Sequence, residues 1–278
     1  MTARSRLSSL PDWLKKVLSY LGVLVFWVGV WWLAARRVDE AILLPDPFSV
    51  VHRLFALAAT SDFWRVVMTS LLRILAGILI GTVAGGLLSL ITHFVPPLYT
   101  LFYPLISVIR STPVASFIIL AYLWIGRDSL PTFISVLLVL PVVWANLHEA
   151  LGAVDRDLLD MAKVFRFSPW QKLRRVYLPA VVPAFLASCR SSVGLAWKAG
   201  IAAEVLTVPA LSIGRQLSDA KLYLESVDLF AWTLTVILLS LLLELCMLGI
   251  MKGLRSRRWG DHSRQDRCAS PAEVIHEQ

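Results

Sequence analysis

Long apolar runs alternate with short polar intervals along the chain. The apolar stretches cover roughly residues 17–35, 64–92, 98–126, 130–150, 177–207 and 227–251, with proline, glycine or charged residues between them. A helix needs about 20 apolar residues to cross the hydrocarbon core of a bilayer, so each run predicts one span. The expected fold is all-α, a polytopic membrane protein of about six transmembrane helices. The first run ends in Arg36-Arg37 without a small-residue cleavage site, which predicts a retained helix. The third is predicted to be broken, because Pro104 and Pro113 flank Arg110-Ser111-Thr112 and proline removes a backbone donor.

Composition agrees with this pattern. Of 278 residues, 57% are hydrophobic and only 17% charged, and the mean hydropathy is +0.69. These values exclude an ordinary soluble domain. The formal charge of +8 would suit nucleic acid as a partner if it were spread over one surface. Instead, sixteen of the 27 Lys and Arg residues fall in segments 1–16, 151–176 and 252–278, against seven in the intervals on the opposite side. That asymmetry follows the positive-inside rule and predicts a cell-membrane protein with both termini cytoplasmic, and no nucleic-acid partner. The expected organisation is a cytoplasmic segment 1–16, a transmembrane domain 17–252 and a polar cytoplasmic tail 253–278. Cys189, Cys246 and Cys268 are spaced neither as a disulfide framework nor as a zinc site and are expected to be packing residues. No metal site and no cofactor is expected.

Several features bear on mechanism. Gly77, Gly81, Gly85 and Ser89 recur every four residues in the second run, and Ala184, Ser188, Ser192, Ala196 and Gly200 do so in the fifth. Such stripes let two helix backbones approach closely in lipid; close packing and lining of a pathway both remain open for the fifth. Six charged residues lie inside predicted spans, away from the first and last two positions: Arg73, Arg110, Arg190, Lys198, Glu204 and Glu244. A charge at mid-bilayer costs about 2.5 to 3.5 kcal/mol on insertion scales, so each should face protein or water. The excess of cations favours an anionic solute, with ion pairing as the alternative. Arg110, Ser111, Thr112, Lys198 and Glu204 are the translocation-pathway candidates.

The interval 151–178 looks built. Leu158, Met161, Ala162 and Phe165 share one helical face, and Arg156, Asp160 and Lys163 the other. Ser168-Pro169-Trp170-Gln171 then offers an N-cap, a proline at the first helical position and a capping-box glutamine. A helix–turn–helix of this kind could dock in a partner's groove or lie on lipid headgroups.

This segment resembles the EAA motif of ABC importer permeases. Asp160, Met161 and Ala162 stand at the Glu-Ala-Ala positions, Arg166 replaces the family's glycine, and Leu178-Pro179 stand at the closing Leu-Pro pair. Leu44-Pro45-Asp46-Pro47, Ser70-Leu-Leu-Arg73, Arg110-Ser-Thr-Pro113, Ala196-Trp197 and Ala202-Ala203-Glu204-Val205 are similar to the nitrate/sulfonate/taurine branch. The resemblance covers residues 20 to 252. It implies a type I importer fold and a coupling loop in which Asp160, Met161, Ala162, Arg166, Leu178 and Pro179 meet a separate ATPase subunit. It also implies a second permease subunit, usually an identical copy, and an extracytoplasmic solute-binding protein; membrane lipid surrounds the whole. The solute would be a small organic or inorganic anion, or a pyrimidine or thiamine-precursor nutrient.

No Gly-x-x-x-x-Gly-Lys-Ser/Thr occurs, so ATP hydrolysis is expected to reside in the partner, and this chain is expected to be no enzyme. A membrane-embedded enzyme would need a polar constellation, and His148-Glu149 lacks a second histidine four residues after the first. An ion-coupled secondary transporter would show inverted repeats, which the chain lacks. A membrane anchor without transport would tolerate neutralisation of the intramembrane charges.

Overall fold

The computed structural model describes residues 12–38, 40 and 42–259; the expectations for 1–11 and 260–278, including Cys268, lie outside the described residues. Among the described residues all regular structure is helical. Helix α1 (Asp12–Val38) is followed by α2 (Pro47–Ala58), α3 (Ser61–Phe94), α4 (Pro96–Ser111), α5 (Val114–Tyr122) and α6 (Leu130–Gly152). Then come α7 (Arg156–Val164), α8 (Pro169–Lys172), a π-helical turn (Leu173–Tyr177), α9 (Leu178–Thr207), α10 (Ile213–Leu222) and α11 (Ser226–Trp259).

Five helical segments are long and apolar enough to cross a membrane, namely those in α1, α3, α6, the stretch 169–207 and α11, and the pair α4–α5 makes a sixth. The pair bends by 104° at Thr112-Pro113. The predicted break therefore falls at Pro113, whereas Pro104 lies inside α4. Pro113 ends one helix because the residue before a proline is pushed out of the α region, and Thr112 is extended at φ −81° and ψ 134°. The last helix runs on to Trp259, past residue 252 where the polar residues begin.

The centre is a packed triad of α3, α6 and α9, closed by α11. Gly77, Gly81 and Gly85 of α3 all face α6. A Cβ on Gly77 would stand 2.5 Å from Thr132 O, and one on Gly85 2.7 Å from Leu140 O, so the two backbones touch where the stripe lies. The stripe of α9 is likewise buried at Ser188, Ser192, Ala196 and Gly200. Gly200 abuts Ile74 of α3 and Ser135 of α6, which decides for packing over pathway lining at that level. Trp197, wholly buried, fills the space beside the small residues, and its indole N–H donates to Val236 O of α11 at 3.2 Å. Outward faces stay apolar: Phe26, Leu79 and Leu245 are each more than 60% exposed. In lipid such faces need no cover. Cys189 is half-buried, whereas Cys246 faces outward and packs against little of the chain.

Two helices between spans were not anticipated. Helix α2 starts at Asp46, whose carboxylate accepts from Phe48 N–H and Ser49 N–H, with Pro47 at the first helical position. A two-pronged ion pair joins it to α11, Arg53 Nε and Nη2 donating to Asp228 at 2.6 and 2.7 Å. That contact raises the Arg53 pKa. Helix α10 is capped by Ser212, which accepts from Arg215 N–H.

Candidate functional site

The interval after α6 folds as helix, turn and helix. Asp155 caps α7 by accepting from Asp157 N–H. The capping box at α8 is complete: Ser168 Oγ accepts from Gln171 N–H and Gln171 Oε1 from Ser168 N–H. Between them the chain turns at Arg166, whose φ is 50°. Phe167 N–H donates to Ala162 O at 2.9 Å and Arg166 N–H to Lys163 O at 3.0 Å. These two bonds define a Schellman turn with the left-handed residue at its usual place. Arginine thus adopts the conformation that glycine would take at no steric cost, at a penalty of about 1 to 2 kcal/mol. The turn is held from inside, because Phe167 packs with buried Ala162, Val154 and Val176.

The apolar residues of α7 do not share one side. Ala162 and Leu159 point into that small cluster, while Leu158, Met161, Val164 and Phe165 point outward and are 44%, 44%, 79% and 67% exposed. The outer face therefore presents four bulky apolar side chains beside a polar one. There Lys163 Nζ donates to Asp160 Oδ1 at 2.7 Å, which holds the Asp160 carboxyl below the usual carboxylate range. Leu178 is also exposed. Pro179 sits at the start of α9 without an N–H to give, and the preceding turn widens so that Leu178 N–H reaches Leu173 O, five residues back.

Behind this element lies an aromatic cluster that the sequence did not suggest. His148 of α6 stacks on Tyr99 of α4 with ring centres 4.4 Å apart, and lies 5.9 Å from His93 of α3, which in turn meets Tyr177 of the π-helical turn. Trp144 Nε1 donates to Thr92 Oγ1 at 3.0 Å. His93 and His148 thus join four elements at the end of the bundle that carries the loop.

At the opposite end of α9, Glu204 is fully buried. Its Oε2 accepts from Ser70 Oγ at 2.8 Å and from Gly214 N–H at 3.1 Å, while Ser70 Oγ itself accepts from Ile213 N–H at 2.9 Å. Glycine is required at 214, because a Cβ there would lie 2.3 Å from Glu204 C and 2.4 Å from Val205 N. Arg73 completes the fastening by donating to Ala210 O at 3.2 Å and to Asp128 Oδ1 at 3.2 Å. The clamped connection holds two left-handed residues, Val208 at φ 47° and Leu211 at φ 48°. For β-branched Val208 that is a strained conformation, one that persists only where the surroundings over-determine it.

The pathway candidates separate accordingly. Glu204 is enclosed in protein and fastens α3, α9 and α10. Lys198, on the same helix, is exposed, and the expected bracket with Glu204 is not an ion pair: no carboxylate lies within 4 Å of Lys198 among the described residues. Arg110 and Ser111 line a 340 Å³ cleft with Tyr103, Ile106, Ser107 and Trp144. The hydroxyls of Ser111 and Thr112 both donate back to Val108 O, at 3.1 and 2.8 Å. Arg110, Arg190, Lys198 and Glu244 are exposed, whereas Arg73 is satisfied inside. No group of three His, Cys, Asp or Glu side chains near enough to hold a metal occurs among the described residues.

The chain belongs to the family of binding-protein-dependent transport system inner membrane components, whose model matches residues 77–260. It is thus a multi-pass inner-membrane permease of an ABC importer, with the type I fold of that family. It is 25% identical over 220 residues to the putative aliphatic sulfonates transport permease protein SsuC of Bacillus subtilis, covering 79% of this chain and 78% of that one. It is 24% identical to the taurine transport system permease protein TauC of Escherichia coli, covering 86% and 90%. The formylaminopyrimidine transport permease protein ThiX of Halalkalibacterium halodurans is 27% identical, over 60% of this chain and 67% of that protein.

Proposed function

We propose that this permease, paired with a second copy of itself, forms the pathway for a small sulfonate-type anion and is driven through the loop Asp160–Pro179 by a separate ATPase subunit. The observation that carries the coupling assignment is the outer face of α7. Four bulky apolar side chains, Leu158, Met161, Val164 and Phe165, stand exposed on a doubly capped element outside the spans. Such a patch marks a protein contact, and the Arg166 turn holds it rigid. ATP binding and hydrolysis belong to the partner, and a solute-binding protein delivers cargo on the other side. Both termini and the loop lie in the cytoplasm, as the distribution of Lys and Arg favours.

An anionic solute is favoured by Arg110 and Lys198, exposed and without a carboxylate within 4 Å among the described residues, and by the sulfonate and taurine permeases among the relatives. Arg110, Ser111, Thr112 and Lys198 are its contacts in this reading, and Glu204 serves as a structural fastening. The test is to tag the full chain, extract it from native membranes and look for a co-purifying ATPase. Recovery of one from wild type, and its loss in Asp160→Lys or Leu178→Asp with the protein still membrane-inserted, is the expected result. Equal recovery from all three would overturn the coupling assignment.

A further inference from the structure

Beside the π-helical turn two clefts share a wall. The larger, 540 Å³, is walled by Leu90 of α3, Leu147 and Leu151 of α6, and Val181, Val182 and Phe185 of α9. The smaller, 430 Å³, is lined by Trp170, Gln171, Arg174 and Arg175 alone. Trp170 and Arg174 border both. An apolar cleft therefore lies beside a basic, hydrogen-bonding one at the end of the spans, with Trp170 and Arg174 between them.

Neither arginine is paired with a carboxylate among the described residues. Arg175 rests over the Phe167 ring at 5.7 Å. The widened turn at Leu173–Tyr177 contains both arginines, along with Leu173 and Tyr177, which also line the apolar cleft. Tryptophan beside arginine at a span's end is the chemistry of the headgroup level, and basic pockets between spans on the cytoplasmic side take anionic headgroups. A free anion would leave the apolar part unfilled, and an apolar helix would leave two arginines without counter-charge.

We propose that this pair of clefts binds one anionic phospholipid of the cytoplasmic leaflet, an acyl chain lying between α3, α6 and α9 and the phosphate held by Arg174 and Arg175. The leaflet rests on the topology proposed above. The site ties a lipid to the same turn that connects the coupling loop to α9, so an occupied cleft braces the loop's attachment.

The full chain, delipidated in detergent, would be titrated with phosphatidylglycerol or phosphatidylcholine and bound lipid counted by native mass spectrometry. One phosphatidylglycerol should be retained at least about tenfold more tightly than phosphatidylcholine. At roughly fivefold for each arginine near an anionic headgroup, Arg174→Gln with Arg175→Gln should weaken phosphatidylglycerol about 25-fold and leave phosphatidylcholine unchanged. Val182→Trp, which fills the apolar part, should weaken both lipids. Equal retention of the two lipids, or indifference to both sets of variants, would overturn the site. A photo-reactive side chain at position 182 should label lipid in native membranes; labelling of a protein instead would show a helix in the cleft and refute the lipid. Labelling of a cysteine at position 163 from outside the cell would overturn the leaflet and the topology together, whereas the lipid titration fails or succeeds without any ATPase present.

Discussion

Replacing Glu204 by alanine should destabilise the protein by about 2 to 3 kcal/mol, and replacing it by glutamine by less than about 1. In Glu204→Ala, the buried Gly214 N–H loses its acceptor, a loss of about 1 to 3 kcal/mol. Ser70 keeps the N–H of Ile213 and turns its own hydroxyl back to a carbonyl of its helix, so it adds little. The void left by the side chain costs about another 1 to 2 kcal/mol in a site that Gly214 holds shut. Against these stands a gain. Glu204 Oε1 is buried with no partner among the described residues, and removing it recovers part of the cost of hiding a polar atom. Glutamine can set its one carbonyl oxygen where the glutamate's Oε2 stood and keeps the side chain's volume, so the change falls on the unpartnered position. For a chain of this size the alanine deficit corresponds to a fall in midpoint of about 5 to 10 °C. Tryptophan fluorescence during heating in mild detergent measures it, and hydrogen exchange at Gly214 should quicken in the alanine variant alone. An alanine variant that melts with wild type would refute the fastening. A glutamine variant that keeps its midpoint yet loses uptake would return Glu204 to the pathway.

Other outcomes test the remaining geometry. Gly81→Leu should abolish accumulation of folded protein, because even its Cβ would stand 2.9 Å from Val139 Cβ and 3.0 Å from Val136 O; Gly86→Ala, with nothing nearer than 3.8 Å, should be neutral, and comparable levels of the two would refute the close α3–α6 contact. Arg166→Gly should leave uptake and stability within about 0.5 kcal/mol of wild type, since the relief of strain offsets the glycine's extra entropy, whereas Arg166→Val should lose about 1 to 2 kcal/mol by thermal melting. Arg53→Ala should cost no more than about 1 kcal/mol despite the two-pronged contact, because Arg53 is 45% exposed; a larger fall would show that α2 and α11 depend on it.

The spans were legible because a run of some 20 apolar residues suffices to name one, and Pro113 sufficed to place the break in the third. The turn before α8 was legible from the capping box at Ser168 and Gln171 that follows it, although arginine itself signals no left-handed turn. Two things were not. The short helices α2 and α10 carry caps, Asp46-Pro47 and Ser212, but too few apolar residues to stand out beside the spans. The fastening at Glu204 joins residues far apart in the chain, so Ser70 and Arg73 look like an ordinary serine and a costly charge until α3 and α10 are seen together. The face of α7 was misjudged for a related reason: helical periodicity groups Leu158 with Ala162, but the inner cluster takes the small alanine with Leu159 and leaves the larger side chains outside.

The two ends of the molecule are joined by one element. From Pro169 to Thr207 the chain is helical throughout, with a single π-helical turn, and at about 1.5 Å per residue it spans roughly 58 Å. Its far third is locked by Trp197 against α11, by Gly200 against α3 and α6 and by Glu204 at the end. A force applied at the loop therefore has few places to be absorbed. The bundle's close backbone contacts resist sliding, and the strained residues Val208 and Leu211 lie inside the connection that Arg73 and Gly214 clamp. The weak points are the widened turn at Leu173–Tyr177 and the break at Thr112-Pro113. If an ATPase pulls on α7, the triad of α3, α6 and α9 moves as a body, and the bending falls at those two positions. One of them adjoins the proposed lipid site and the other the cleft of Arg110.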